Sequence, residues 1–516
     1  MRTAPLLAAL SSLALLAPAW AQPIVTDGEF TDWDLVAPVF TDPAGDSTGV
    51  FDLGAVWITS DAERIHVSFE VGTDAHNLQA GGYPSSQGLT FELLFAGSPV
   101  ESLRVETLPH LLRVTENGAT TLRSAQDTGL LLLPTYASQR YEFSVPRSLA
   151  PGATSVQFAT TGADTLTTAP VALSDASPAA ATATADRHPD AHLRVASLNT
   201  LNNFNTDTTG IEDPARRPRF TRLVRAVRAD VYCIQEEYST SAADIETFFE
   251  DADPFDDGAE WHAVKVGDTV IASRYPLVLP AIFDRTRFGD AVAFVDMAAA
   301  GRGLVLVSSI HPACCGYAGN SNDDDRVEQH ENIAEAIASI AGGSSESAAP
   351  GSSEAPAIVA GDWNLVGSRA PLTVLEDVGL FAPTPTDLGT GASAVTWRDP
   401  SDAIGQFFPG RLDYIAHDTV GLRPRNRFVL DSQTLGPAQL AALGLQSDDS
   451  AASDHLMVVA DLAFPASGPD LTGDGVVDSS DLASLLSMWG QDGPADFTGD
   501  GVVDSADLAV ILAAWD

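Results

Sequence analysis

Through the middle of the chain, short apolar runs break off abruptly on polar side chains. The clearest is AIVAGDWN, Ala357 to Asn364, apolar up to Gly361 and then Asp362, Trp363 and Asn364. An apolar run of that length, bounded by Gly and polar residues, predicts a buried strand that delivers side chains at its carboxyl end. Layered α/β folds place their sites at such ends. LRVASLN ends on Asn199, DVYCIQE on Glu236 and GLVLVSSIH on His311. RLDYIAH carries Asp413 inside a further run, and SDHLMVVADLAF opens another with Asp454 and His455. Between them, Phe220, Leu223, Val224 and Val227, and again Ile333, Ile337, Ile340 and Ala341, recur at helical spacing and predict amphipathic helices. Strands alternating with such helices make residues 192–464 an α/β domain.

On either side the pattern changes. Residues 22–168 hold short β-type runs, among them AVWITS, RIHVSFEV, LTFELLFA and YEFSVP, separated by turn residues as in an all-β sandwich. Residues 169–191 are rich in Ala, Thr, Pro and Ser and read as a linker. GGSSESAAPGSSEAP, residues 342–356, reads as a flexible insertion. Beyond a second linker, 465–469, residues 470–516 repeat themselves at an offset of 26 as DLTGDGVVDSSDLASLLSMW and DFTGDGVVDSADLAVILAAW. Each copy sets Asp at loop positions 1, 5, 9 and 12, Thr at 3, Gly at 6 and a backbone carbonyl at 7, a spacing that wraps oxygen around Ca²⁺. The predicted ligands are Asp470, Thr472, Asp474, Val476, Asp478 and Asp481, then Asp496, Thr498, Asp500, Val502, Asp504 and Asp507. A helical apolar stripe follows each loop: Leu482, Leu485, Leu486 and Trp489, then Leu508, Ile511, Leu512 and Trp515.

Composition changes this picture in a few places. A length of 516 residues suits about three domains. The net charge of -43 argues against a general polyanion-binding surface, so any nucleic-acid or phospholipid contact is expected to be local and metal-mediated. The one basic cluster, Arg216, Arg217, Arg219, Arg222, Arg225 and Arg228, is read as solvated charge on the outer side of its helix, with steering of a phosphodiester as the alternative. Residues 1–21 have a signal-peptide layout, Arg2 before an apolar stretch and Ala19, Trp20, Ala21 as a cleavage site, and no later run is long enough to span a bilayer. A secreted, extracellular or cell-surface product is therefore expected. Of the three cysteines, Cys233 reads as a core thiol, and adjacent Cys314 and Cys315 are expected to close a vicinal disulfide.

The motifs SLN, IQEE, IASRYP, SSIHP, GDWN, RLDYI and SDH occur in that order over residues 192–464, and this set resembles the endonuclease/exonuclease/phosphatase (deoxyribonuclease I-like) superfamily. The resemblance implies two β-sheets flanked by helices in a four-layer sandwich. It also implies a phosphoesterase using an in-line water and Mg²⁺, Mn²⁺ or Ca²⁺ on hard oxygen ligands. Glu236 is the first choice for that cation, with Asn199 and Asp454 in support, while Glu237 projects the opposite way along an extended chain. Asp362 is implied to position or deprotonate the water, Asn364 to bind a phosphate oxygen, Asp413 to orient His455, and His311 to donate to a phosphate or leaving-group oxygen. Arg274 and Tyr275 read as structural. Trp397 and Arg398 are weighed as cleft residues, with Trp397 favoured for the core.

The opening VTDGEFTDW resembles family 9 carbohydrate-binding-module-like and DOMON-type sandwiches, which implies a polysaccharide or surface ligand. The favoured reading, with Trp33 and Trp57 as core aromatics, is a structural spacer. The terminal repeats resemble a type I dockerin, with Ser479, Ser480, Ser505 and Ala506 where a cohesin partner would dock, although the usual basic pair is missing. The expected function is a secreted nuclease or phosphodiesterase acting on a phosphoester such as extracellular nucleic acid. Two alternatives stand beside it: a sphingomyelinase-like headgroup phosphodiesterase and a non-catalytic adhesion scaffold.

Overall fold

The structure, a computed structural model, describes residues 23–515 apart from 80–87, 163, 178–182, 205–213, 256–258, 280–289, 342–354, 400, 402, 466–467, 470, 472–475, 492 and 499. The signal-peptide reading, most of the 342–356 insertion, and Asp470, Thr472 and Asp474 lie outside the described residues.

The N-terminal region is two antiparallel sheets of five and six strands. Strand Ala55–Ser60 alternates half-buried and buried positions, as does Thr90–Ala96 over most of its length, so each sheet turns one face inward. Phe69, Phe91, Phe143 and Phe158 fill the core between them. Trp33 is buried and donates its Nε1–H to Glu142 at 2.9 Å, whereas Trp57 is half-buried under the Arg140 guanidinium at 3.9 Å. Within the stretch expected as linker, Val171–Ala172 adds an edge strand to the six-stranded sheet, and Arg187 pairs with Asp230 at 2.5 Å.

The central region is an α/β sandwich. Its seven-stranded sheet runs in the order His262–Val266, Thr269–Ser273, Val231–Gln235, Leu193–Asn199, Met457–Ala463, Arg423–Leu430, Thr386–Asp387. Its six-stranded sheet runs Leu277–Val278, Ala291–Asp296, Leu304–Ile310, Ala357–Asp362, Asp413–Asp418, Leu380–Phe381. Val195, Cys233, Val307, Ile358 and Val458 meet between the sheets. The outer face of the first sheet packs on Phe220, Leu223, Phe248 and Phe249 of two helices, and that of the second on Ile333, Ile337 and Leu375 of two more. Four layers result, and the inner strands are apolar on both faces because both are covered.

Each sheet has one parallel pair at its middle: Leu193–Asn199 beside Val231–Gln235, and Leu304–Ile310 beside Ala357–Asp362. The carboxyl ends of both pairs converge on one end of the sandwich, which is where the polar run-ends were read from sequence. All six arginines of the cluster have partners; Arg216 departs from the expectation of solvated charge by being buried, while Arg225 and Arg228 stay exposed on the outer side as expected. Arg216 is buried against the carbonyls of Thr200, Asn203 and Ala452. Arg222 holds Asp449 at 2.6 Å, and Arg225 the Ala252 carbonyl at the same distance. Arg217, Arg219 and Arg228 face Asp251, Asp448 and Asp253.

Helices Ser479–Ser487 and Ser505–Ala513 end the chain, each capped by the ninth-position aspartate of its loop, Asp478 or Asp504. Of the two predicted stripes, Leu485 and Ile511 are buried, while Leu486, Trp489, Leu512 and Trp515 stay exposed. Among the described residues no helix is long and apolar enough to cross a membrane.

Candidate active site

Gly361 explains how the six-stranded sheet ends. It sits at φ 154°, paired with Ile310, and a Cβ there would lie 2.0 Å from the Ile310 carbonyl oxygen. Only glycine lets the parallel pair close this tightly before Asp362. Two residues on, Asn364 takes φ 48°, and across the cleft Glu236 takes φ 64°, both unusual for non-glycine residues. These turns aim the side chains of both sheets into one cleft.

Asp362 is its hub. Its Oδ1 accepts the Asn364 backbone N–H at 2.9 Å, and its Oδ2 accepts Asn199 Nδ2 at 3.1 Å. The same Oδ2 lies 3.5 Å from His311 Nε2 and 3.5 Å from His455 Nε2. His455 Nδ1 in turn donates to Asp413 at 2.8 Å, and His311 Nδ1 to Asp268 at 2.6 Å. Burial alone would push both imidazoles down. The carboxylates override it: Asp413 and Asp362 bring His455 up to about 10, while the bond to Asp268 and the charge of Asp362 bring His311 up to about 9. Both rings are cationic at neutral pH, two N–H donors either side of one carboxylate. Burial raises Asp413 to about 6 against the pull of His455.

Asn199 donates to Glu236 Oε1 at 3.0 Å as well as to Asp362. Its Oδ1 accepts the Leu201 N–H at 2.9 Å, which sets the amide orientation. Glu236 Oε2 accepts the Asn202 N–H at 3.0 Å. Asp454 lines the same cleft and accepts Trp397 Nε1 at 2.9 Å. Glu237 points away and is buried, bonded by Thr200 and the Phe204 N–H, and burial raises it to about 7. The carboxylates of Glu236, Asp362 and Asp454 are hard oxygen donors and suit Mg²⁺, Mn²⁺ or Ca²⁺, whereas Asn199, expected as a ligand, turns its Nδ2 to Glu236 and Asp362 and its Oδ1 to the Leu201 N–H. Oxygen and nitrogen atoms of Asp362, Asp413 and His455 also lie within 4.8 Å of one another. Both ring nitrogens of His455 already face carboxylates, an arrangement that holds a proton rather than a metal.

Residues 196–455, half of the chain, match the profile of the Endonuclease/Exonuclease/phosphatase family. The chain belongs to this family. It is accordingly a phosphoester hydrolase. Solved structures similar to it include SmcL (16% identity, 53% of this chain and 99% of that chain, TM-score 0.35). A beta toxin from Staphylococcus aureus is another (17% identity, 52% and 99%, TM-score 0.33), as is the human Nocturnin catalytic domain with bound sulfate (16% identity, 53% and 93%, TM-score 0.34). No curated protein matches the chain.

Of the contributors to this family site, Asp268, Gln79 and Thr135 carried no sequence signal. Asp268 sits in a two-residue turn of a hairpin, and only tertiary packing brings it to His311. Trp397, favoured for the core, is half-buried and lines the cleft, because its indole N–H is held by Asp454, while Arg398 turns away to Asp431. Gln79 and Thr135 of the N-terminal sandwich also line the cleft. The Sγ atoms of Cys314 and Cys315, expected to form a vicinal disulfide, stand 2.7 Å apart, longer than the ~2.05 Å of a disulfide and closer than two unbonded sulfurs approach.

Proposed function

We propose that this family member is a secreted, divalent-metal-dependent phosphodiesterase. The observation that carries the reading is the convergence of Glu236, Asn199, Asp362, Asn364 and the ion pairs Asp413–His455 and Asp268–His311 in one cleft. Glu236 and Asp454, with Asn199 orienting the first, would hold the cation, which when bound neutralises charge on the phosphoryl oxygens. The chain's own residues do the rest. Asp362 sits among hydrogen-bond donors, where a water can be aligned for in-line attack. His455, held in one orientation by Asp413, keeps a proton on Nε2 for a phosphoryl or departing oxygen, and His311 does the same from the other side. Asn364 is fixed by the Pro312 carbonyl at 3.1 Å and presents its amide at the same cleft.

The C-terminal loops are proposed as calcium sites that present Ser479, Ser480, Ser505 and Ala506 to a cohesin-like partner. In support, Asp496, Asp500 and Asp507 of the second loop lie within 4.8 Å of one another.

A hydrolysis panel of DNA, RNA, sphingomyelin and small phosphodiesters, with Mg²⁺, Mn²⁺ or Ca²⁺ and with chelator, tests the main reading. At least one phosphodiester should be cleaved, only with metal, and Glu236→Ala should abolish it. Activity that survives chelation, or that survives loss of Glu236, refutes the metal assignment.

A further inference from the structure

The cleft has two chemically different sides around a cavity of ≈ 320 Å³. One is the charged floor described above. The other is apolar, formed by Trp397, Phe407 and Leu412, and it is closed by Gln79 and Thr135 of the sandwich. This wall is built across the domain boundary. Phe408 is 1% exposed inside the sandwich core, so the chain is pinned there at that residue and its neighbour Phe407 is left exposed at the cleft. The Phe407 ring stands 4.7 Å from His110 of the sandwich and 6.5 Å from Trp397, at 69° to the latter. Thr135 Oγ1 lies 2.7 Å from the Leu365 carbonyl and 3.1 Å from that of Arg411, locking the sandwich to segments that flank Asn364 and Asp413. Trp397 is tied to the floor through Asp454, so the apolar wall is held in register with the reacting centre.

Gln79 gives the wall its polarity. Its Nε2 donates to the Leu132 carbonyl at 2.6 Å, which fixes the amide and leaves Oε1 as an acceptor with no partner among the described residues. A saturated chain lying there would cover that acceptor without replacing its water, at a cost. A ring carrying an N–H or O–H on its edge would satisfy it while its faces and edges meet Trp397 and Phe407.

We propose that the N-terminal sandwich and the 403–410 segment build a subsite for a planar aromatic substituent of the phosphoester. The inference rests on the reading of the neighbouring centre as a phosphoester site, and it makes the sandwich part of the enzyme's specificity. Calorimetric titration of the full chain in Mg²⁺ with methyl, phenyl and hexyl phosphate tests it. Phenyl phosphate should bind about tenfold tighter than methyl phosphate, the worth of a good aromatic contact. Phe407→Ala should collapse that ratio, and Phe407→Trp should keep it. A ratio untouched by Phe407→Ala, hexyl phosphate binding tighter than phenyl phosphate, or no binding of any of the three overturns the proposal. Hydrolysis is read separately. Turnover without an aryl preference refutes the subsite alone, and an aryl preference lost with Phe407 in a protein that cleaves no phosphodiester of the panel refutes the reaction alone.

Discussion

At the scale of the residue, the site works by making carboxylates and imidazoles define one another. Asp413 is fully buried, and its charge is offset by His455 at 2.8 Å. Asp413→Asn removes the charge that keeps His455 cationic while preserving shape. Turnover should fall on the order of a hundredfold or more with an unchanged circular dichroism spectrum. Near wild-type kcat in that variant would exclude the pair from catalysis. His330 supports the same strand from behind, its ring 4.9 Å from Trp363 and its Nδ1 donating to the Arg326 carbonyl at 2.7 Å. Burial pushes it down from 6.5 to about 4. Below pH 6.5 the unfolded chain takes up a proton that folded His330 refuses. Its contribution is therefore complete above 6.5 and is lost as pH falls toward 4, a swing of roughly 3 kcal/mol. Chemical denaturation at pH 7 and pH 4.5 should show a steeper loss in wild type than in His330→Leu. Equal losses would dismiss the histidine as an acid-labile point.

At the scale of the element, two parallel strand pairs set the geometry, and short turns of unusual backbone finish it. Gly361, Glu236 and Asn364 all sit at positive φ where a strand ends and the site begins. Such strain is tolerated because the surrounding sheets over-determine it. The C-terminal helices show the opposite economy. Leu485, Val503 and Ile511 are among the few residues buried there, a core too small for independent stability, and the second loop gathers Asp496, Asp500 and Asp507 within 4.8 Å. Removing calcium should unfold residues 470–516 while leaving the rest intact, because the converged carboxylates repel without a cation. Titration with chelator, followed by proteolysis and mass analysis, should release this segment alone. A segment equally protected with and without chelator would refute calcium-dependent folding.

At the scale of the whole molecule, the sandwich and the family domain are interlocked. Thr26 bridges Ser393, the Ala137 N–H donates to the Gly367 carbonyl at 2.8 Å, Asn77 Nδ2 donates to the Val366 carbonyl at 3.1 Å, and Phe408 is buried in the sandwich core. Residues 23–464 should consequently unfold in one calorimetric transition, and two well-separated transitions would show the sandwich to be an independent module. The strands, their polar ends and the helical stripes were legible in the chain because each is a local pattern. An apolar run bounded by Gly and Asp needs no distant partner to be recognised, and Phe220, Leu223, Val224 and Val227 are buried as their spacing requires. Asp268 behind His311 and the burial of Arg216 on backbone carbonyls were not legible, because each depends on which atoms packing brings within a few ångströms. The same holds for the cleft wall. Gln79 and Thr135 precede Asp362 by hundreds of residues and belong to a different pattern class, and only the docking of two cores places them beside it. Local periodicity specifies the elements and the ends where chemistry can sit, while long-range packing decides which charges meet, how they titrate, and what lies across the cleft from them.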